Sequence, residues 1–404
     1  MSKGKDTKPH IGILGRRNNG KSSLINALTG QDIAIVSEIA GTTTDPVKKS
    51  LEIEGLGPAV LIDTAGIDDT GDLGQKRVEK TLHTLKIIDA AILTITENTF
   101  GAPEEKIIEE FKNYDIPFLI IHNKSDLQAS TPDLKENIAK TYNCKVLDYS
   151  ALKPDNKKVA EYLHEIIPET IYQYRTLIGD LVQRGDIVLL ITPVDTEAPE
   201  GRMILPQVQV IRDTLDNNCI SLVVKETEVT ELIQKLHPRP VLAITDSQVF
   251  PKANAAIPED IPLTSFSIVL ARNKGDFASY LKGTPHISEL KDGDRVLIME
   301  SCTHHVTCDD IGRVKIPRWL SNYKGKKLEF DVVSGTDAPP RPVNSYQLVI
   351  QCGGCMFTRK QLLNRLKPYT QAGIPVTNYG LAIAWVNGIY NRAIAPFLRN
   401  NNVE

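Results

Sequence analysis

The sequence predicts an α/β protein of several consecutive sheet-and-helix units. A strand, a glycine-rich loop and a helix open the chain in that order. Short β-rich apolar runs then alternate with helical stretches to the end, and 404 residues exceed one such unit. The expected layout is a phosphate-loop domain over 1–171, a small α/β domain over 172–261 and a second over 262–404.

The first element is the apolar run His10-Ile-Gly-Ile-Leu14, and residues 23–29 read as the helix behind it. Between them, Gly15-Arg-Arg-Asn-Asn-Gly-Lys-Ser22 is a complete G-x-x-x-x-G-K-S phosphate loop. Its backbone N–H groups, including those of Gly15, Asn18, Asn19, Gly20 and Ser23, can wrap phosphate at the positive end of a helix. Lys21 would reach the β- and γ-phosphates, and the Ser22 hydroxyl would ligate Mg2+.

Further parts of a nucleotide site follow in order. Val60-Leu-Ile-Asp63-Thr-Ala-Gly66 is a strand ending in D-x-x-G, where Asp63 would hold Mg2+ through water and Gly66 would sense the γ-phosphate. Upstream, Gly41-Thr-Thr-Thr-Asp45 is the first-switch candidate, with Thr43 the expected direct Mg2+ ligand. The strand Phe118-Leu-Ile-Ile-His122 ends in Asn123-Lys124-Ser125-Asp126. A carboxylate at Asp126 can accept from N1–H and the 2-amino group of guanine, a pair of donors adenine does not offer. Ser150 and Ala151 supply the turn expected to close over the base. Together these motifs predict GTP as the nucleotide.

The pairing of Gly-Thr-Thr-x-Asp with Asp-Thr-Ala-Gly-Ile resembles the bacterial GTPases of tRNA modification and ribosome assembly. Ile67 follows Gly66, so the water-orienting glutamine of Ras-like enzymes has no counterpart there. Asn18 matches the asparagine with which related potassium-activated GTPases help hold K+, although asparagine is also a common turn former. The resemblance implies slow GTP hydrolysis, accelerated by K+, with Lys21, Thr43, Asp63 and Asn18 as the catalytic set.

The rest of the chain reads in the same alternating way. Strands are expected at 187–192, 219–224 and 241–245, and helices at 206–215 and 226–236, with no visible chemistry among them. Residues 251–262 contain three prolines and read as a connector. Beyond it, strands are expected at 264–271, 295–299 and 345–350, and helices at 359–366 and 381–397. No internal repeat is evident. With 41% hydrophobic and 24% charged residues and a net charge of −3, the chain lacks the clustered basic charge that broad nucleic-acid binding requires. The absence of a long apolar run or signal-like start predicts a cytoplasmic protein, without membrane association or structural disulfides.

Four of the six cysteines lie in the last third, in Cys302-Thr-His-His-Val-Thr-Cys308 and Cys352-Gly-Gly-Cys355. Each segment follows an expected strand. If those strands run parallel, the thiols share one carboxyl edge. A redox pair, structural zinc and an iron–sulfur cluster all use such residues. Cys144 and Cys219 read as buried spectators, and the histidines at 10, 83, 122, 164, 237 and 286 as solvated or capping residues.

A potassium-type GTPase head, a silent middle domain and the two C-terminal cysteine motifs together resemble the HydF family, the GTPase scaffolds that mature FeFe-hydrogenases. The resemblance covers essentially the whole chain. It implies a homodimer formed through the middle domain and a 4Fe-4S cluster on Cys302, Cys352 and Cys355, with His304 the candidate labile fourth ligand and His305 or Cys308 its alternatives. It further implies a diiron precursor received from two radical-SAM maturases and delivered to the FeFe-hydrogenase apoprotein. The alternative is a tRNA- or ribosome-associated GTPase with a zinc-stabilised accessory domain.

Overall fold

The computed structural model describes residues 8–30, 47–68, 81–82, 84–167, 176–193, 203–301, 310–335, 337–355 and 357–398. The chain divides into two compact units, Met1–Tyr174 and Arg175–Glu404.

The first unit is a six-stranded sheet between helices. Its elements are β1 (His10–Gly15), α1 (Lys21–Thr29), β2 (Val47–Ile53), β3 (Gly57–Asp63), β4 (Ala90–Ile95), α2 (Ala102–Asn113), β5 (Phe118–His122), α3 (Pro132–Tyr142), β6 (Val146–Asp148) and α4 (Asn156–Ile166). The order is β2-β3-β1-β4-β5-β6, with only β2 antiparallel to its neighbour. Strands β1 and β4 are apolar and buried on both faces, as a parallel sheet covered by helices demands. His122 is fully buried in β5, where its Nε2 accepts from the Asn98 N–H at 3.2 Å. It is a core histidine, not a solvated one, and burial lowers its pKa.

The second unit contains two sheets. The first comprises β7 (Ile187–Ile191), α5 (Leu205–Asp216), β8 (Ile220–Val224), α6 (Val229–Lys235), β9 (Leu242–Thr245), α7 (Phe250–Ala256), β10 (Leu263–Ser265) and α8 (Phe266–Lys274). After α9 (Phe277–Gly283) come β11 (Arg295–Met299), α10 (Ile316–Lys324), β12 (Glu329–Val333), β13 (Leu348–Gln351), α11 (Arg359–Gln371), β14 (Val376–Asn378), α12 (Tyr379–Val386) and α13 (Tyr390–Leu398). The sheet orders are β10-β9-β7-β8 and β12-β11-β13-β14, and every pairing is parallel. In each, the first strand lies between the second and the third, with the fourth outside. The sequence boundary at 261/262 falls just before β10, which pairs with β9.

These two sheets are a topological repeat, which corrects the expectation that none exists. Its sequence trace is short: Leu263-Thr-Ser-Phe enters α8, and Val376-Thr-Asn-Tyr enters α12. Ser265 and Asn378 occupy equivalent N-cap positions; Ser265 accepts from the Ile268 N–H and Asn378 from the Gly380 N–H. Both helices stop before a glycine, Gly275 or Gly388, and a second helix follows.

Three other expectations change. The run 264–271 forms the last two residues of β10 and then a helix, because Ser265 caps the turn; a short apolar run does not itself distinguish the two. The presumed connector holds α7, with Pro251 in its first turn, where the missing N–H costs nothing. The helix expected over 381–397 is two helices, broken at Asn387 and the left-handed Gly388 (φ 71°).

The repeats interlock through their last helices. α9 packs against β14, and α13 against β10. Thr284 and Thr377 share a 2.7 Å hydroxyl contact, and Tyr390 Oη donates to the Leu281 carbonyl at 3.2 Å. One buried core includes Val188, Ile244 and Val269 from the first repeat and Leu297, Val349 and Phe397 from the second. At the tightest point a Cβ on Gly283 would lie 2.1 Å from the Val376 carbonyl oxygen.

Gly283→Ala therefore should destabilise the second unit by about 1–3 kcal/mol, the usual cost of overpacking. Trp319 and Trp385, the two tryptophans, both report on that unit. Their denaturant midpoint should fall while nucleotide binding in the first unit is retained; an unchanged midpoint would mean that the β14 backbone moves aside freely.

Candidate functional site

In the first unit, the candidate residues lie at the carboxyl ends of β1, β3, β5 and β6, on one sheet edge. The phosphate loop follows β1, and α1 begins at Lys21. Lys21 Nζ donates to the carbonyls of Gly15 and Arg16 at 3.0 and 2.8 Å. Gly20 has φ 76°, and a Cβ there would lie 2.5 Å from Asn123 Nδ2, so both conformation and space require glycine. Ser23 lies in the first turn of α1 and is half-buried. Asn18 is exposed at φ 60°, a left-handed conformation that asparagine tolerates, so turn geometry gives one sufficient reason for its presence.

Ser22 Oγ donates to Asp63 Oδ2 at 3.3 Å, which brings together the two residues expected at Mg2+. Asp63 is 8% exposed, and burial raises its pKa against the opposing charge of Lys21. A cation at this pair would replace lost solvation, and protons would compete with it. Gly66 approaches the loop closely: a Cβ would come within 2.6 Å of Arg17 Cγ. Ile67, on the other side of Gly66 from Ala65, donates its N–H to the Gly15 carbonyl at 3.3 Å. Thr43 lies outside the described residues.

The base-reading residues are also together. Asn123 Nδ2 donates to the carbonyls of Asn19 and Gly20 at 3.0 and 3.3 Å, tying the end of β5 to the phosphate loop. Ser150 Oγ donates to Asp126 Oδ1 at 2.5 Å and accepts from the Leu152 N–H. Thus Ser150 holds the Asp126 carboxylate in place. Lys124 adopts φ 55° beside them, and Ala151 follows in the turn after β6.

Sequence reading missed three supports of this site. Asn19 donates to the Thr94 carbonyl and accepts from Thr96 Oγ1, at 2.8 and 2.9 Å. Arg16 makes a bidentate pair with the fully buried Glu104, at 2.7 and 2.6 Å. Asp68 accepts from the Arg17 N–H at 2.8 Å, linking the D-x-x-G segment to the loop. The Gly-Ala-Pro-Glu start of α2 signals a capped helix, but only the fold brings Glu104 to Arg16.

In the second unit, β11 and β13 are parallel, as the shared-edge argument required. Cys352 follows β13 directly. Its thiol donates to Ser301 Oγ at 3.0 Å, and the Ser301 N–H donates to its Sγ at 3.1 Å. Gly354 has φ 68°, and a Cβ there would strike Leu362 at 2.4 Å, so this turn requires glycine. Cys352 and Cys355 are both half-buried. By contrast, burial pushes Cys144 up to about 11 and also raises Cys219, which keeps those thiols protonated. Cys302, His304, His305 and Cys308 lie outside the described residues. Among the described residues no group of three or more metal-ligating side chains occurs. The donors that are described, two thiols in a glycine-shaped turn with a backbone N–H on one sulfur, suit a thiophilic metal and not Mg2+.

Comparison with known proteins separates the two units. A model described as 50S ribosome-binding GTPase matches residues 10–124. The tRNA modification GTPase MnmE of Hydrogenovibrio crunogenus is 41% identical over 130 residues, covering 32% of this chain and 29% of that protein. Its namesake from Lachnoclostridium phytofermentans is 38% identical over 157 residues, covering 38% and 34%. The chain thus spans about a third of the length of the curated relatives it matches. Among solved structures, Era of Aquifex aeolicus aligns with a TM-score of 0.36 at 19% identity, covering 57% of this chain and 98% of that one. The G domain of T. maritima FeoB aligns with a TM-score of 0.32 at 17% identity, covering 40% and 99%. Models described as the hydrogen maturase F dimerization and tetramerization domains match 177–275 and 278–396. The break between these two models falls between α8 and α9, so each takes in one sheet of the repeat. With a GTPase domain ahead of both, the chain belongs to the HydF family of hydrogenase-maturation GTPases.

Proposed function

We propose that the chain hydrolyses GTP slowly, with K+ stimulation, and uses the cycle to govern receipt of a diiron precursor and its delivery to apo FeFe-hydrogenase. The observation that carries this reading is the presence, in one chain, of a complete phosphate-loop edge and a glycine-shaped dithiol turn at the carboxyl edge of a second parallel sheet. The two radical-SAM maturases are the expected donors of the precursor.

In the first unit, Lys21 and the loop amides would bind the phosphates, while Ser22, Thr43 and Asp63 would bind Mg2+, which supplies charge neutralisation. Asp126, positioned by Ser150, would read guanine, with Asn123 and Lys124 bracing the pocket and Ala151 closing it. Gly66 would register the γ-phosphate through its backbone. Ile67 cannot orient water, which motivates both the slow rate and a role for K+ near Asn18. In the second unit Cys302, Cys352 and Cys355 would hold a 4Fe-4S cluster, with His304 the proposed exchangeable fourth ligand.

A homodimer is proposed through 186–246. Among the described residues eleven large apolar side chains are exposed, and seven of these lie between 203 and 241. They include Leu205, Val208 and Leu215 on α5 and Ile220 and Val223 on β8. β8 is an edge strand with an open hydrogen-bonding rim, so it invites pairing with a second copy.

Initial rates of GTP hydrolysis should be several-fold higher in KCl than in NaCl at equal ionic strength, and Asn18→Ala should remove the difference. Equal rates in the wild type would eliminate the potassium step. The Ile220→Lys, Val223→Lys double variant should halve the assembly mass in sedimentation while keeping its tryptophan fluorescence; an unchanged mass would move the interface elsewhere. Anaerobic reconstitution should give iron and acid-labile sulfide in equal amounts, lost in Cys352→Ser and in Cys355→Ser with GTP hydrolysis intact. Zinc without sulfide would instead support the alternative reading of a zinc-stabilised accessory domain.

A further inference from the structure

Lys274 is the last residue of α8, at the end of the first repeat, and is only 8% exposed. Its ammonium reaches the thiol turn of the second repeat. There it donates to the carbonyls of Gly354, Cys355 and Phe357 at 3.3, 3.3 and 3.2 Å. An ammonium has three N–H donors, and these three acceptors lie within one turn. A second tie runs the opposite way. Arg359, at the start of α11, donates through Nη1 to the carbonyls of Asn273 and Gly275 at 3.0 and 2.7 Å. The end of α8 and the dithiol turn are therefore cross-tied by two cations.

The repeat makes this arrangement informative. Aligning Gly275 with Gly388 places Asn387 opposite Lys274, so the buried cation belongs to only one of the two helix ends. The thiols, too, belong to only one of the two sheets: the segment after β9 equivalent to Cys352–Cys355 reads Asp-Ser-Gln-Val. Cation and thiols thus come from different repeats and meet at one place. Metal-bound thiolates carry negative charge, and a nearby buried cation both favours that charge and eases addition of an electron.

We propose that Lys274 is a positioning residue for the thiolates of the Cys352–Cys355 turn, fixing the turn through its carbonyls and supplying positive charge to the metal bound there. The metal site is then shared between the repeats. This inference rests on the iron–sulfur reading above.

The test uses the full-length chain, reconstituted with iron and sulfide, as wild type, K274M, K274Q and K274R. Iron release to a chelator should be about tenfold faster in K274M, the usual scale for loss of an outer support. The cluster midpoint potential should fall in K274M and in K274Q, which keeps hydrogen bonding without charge, and return towards the wild-type value in K274R. Tryptophan fluorescence checks folding, and K274Q supplies the readout if K274M unfolds. Wild-type release and potential in the uncharged variants would overturn the assignment, as would a shift that K274R shares. A wild type that holds zinc instead of iron would fail the cluster reading alone; the Lys274 assignment is then judged by zinc release in the same variants, where unchanged rates overturn it.

Discussion

Parallel strand pairing is the constraint from which the rest of this structure follows. Parallel neighbours need crossover connections, so helices cover the sheet faces and leave the loops at the strand ends open. In the first unit that leaves one carboxyl edge, and the phosphate loop, Asp63, Asn123 and Ser150 all follow strands that end there. In the second unit the same rule places Ser301 and Cys352 side by side, because β11 and β13 are parallel neighbours in register from Val296–Leu348 to Met299–Gln351.

The two units meet their backbone obligations differently. At the nucleotide edge side-chain amides join the Lys21 ammonium: Asn19 and Asn123 cross-brace the loop from β4 and β5, and each bond satisfies a buried polar group. The thiol turn relies on cations. Lys274 and Arg359 answer carbonyls at the turn and helix end, while Arg365 donates to the carbonyls of Glu300 and Val333 at 2.6 and 3.1 Å. Cations near thiols are electrostatically apt for a metal-thiolate site, whereas a Mg2+ site needs an anionic neighbour, which Asp63 supplies. The interlocked helices add a mechanical consequence: with α9 on the second sheet and α13 on the first, neither repeat has its full core without the other.

Burial also sorts the titratable groups by role. Asp63 is held in a site where its charge is costly, so its pKa is raised and lower pH favours the proton over a metal. Because the pKa is higher than in the unfolded chain, the ionised carboxylate weakens the metal-free fold, and that cost is relieved as pH falls through the raised value. The spectator thiols Cys144 and Cys219 are pushed upward by burial and stay protonated.

The nucleotide edge was legible because its chemistry is local in sequence: a glycine-rich loop, D-x-x-G, N-K-x-D and Ser-Ala each carry their geometry within a few residues. The sequence by itself determined the alternation of elements and the order of these motifs, whereas the fold shows why Gly20 and Gly354 are glycines, at φ 76° and 68° with Asn123 and Leu362 close by. Partnerships across distant residues were not legible, because nothing in a linear pattern specifies which helix end meets which loop. Arg16 with Glu104, Asp68 with Arg17 and Lys274 with the Cys352–Cys355 turn all belong to that class. The repeat stayed hidden for a related reason: its shared feature is strand order, and only a capped strand–helix junction survives as sequence similarity. The apolar run after Leu263 could pack as strand or helix, and the Ser265 cap with packing against the opposite repeat decided for helix. Local steric and chemical rules therefore set the motifs, while tertiary packing alone chose their partners, because contacts between distant segments are settled by burial and satisfied hydrogen bonds in three dimensions.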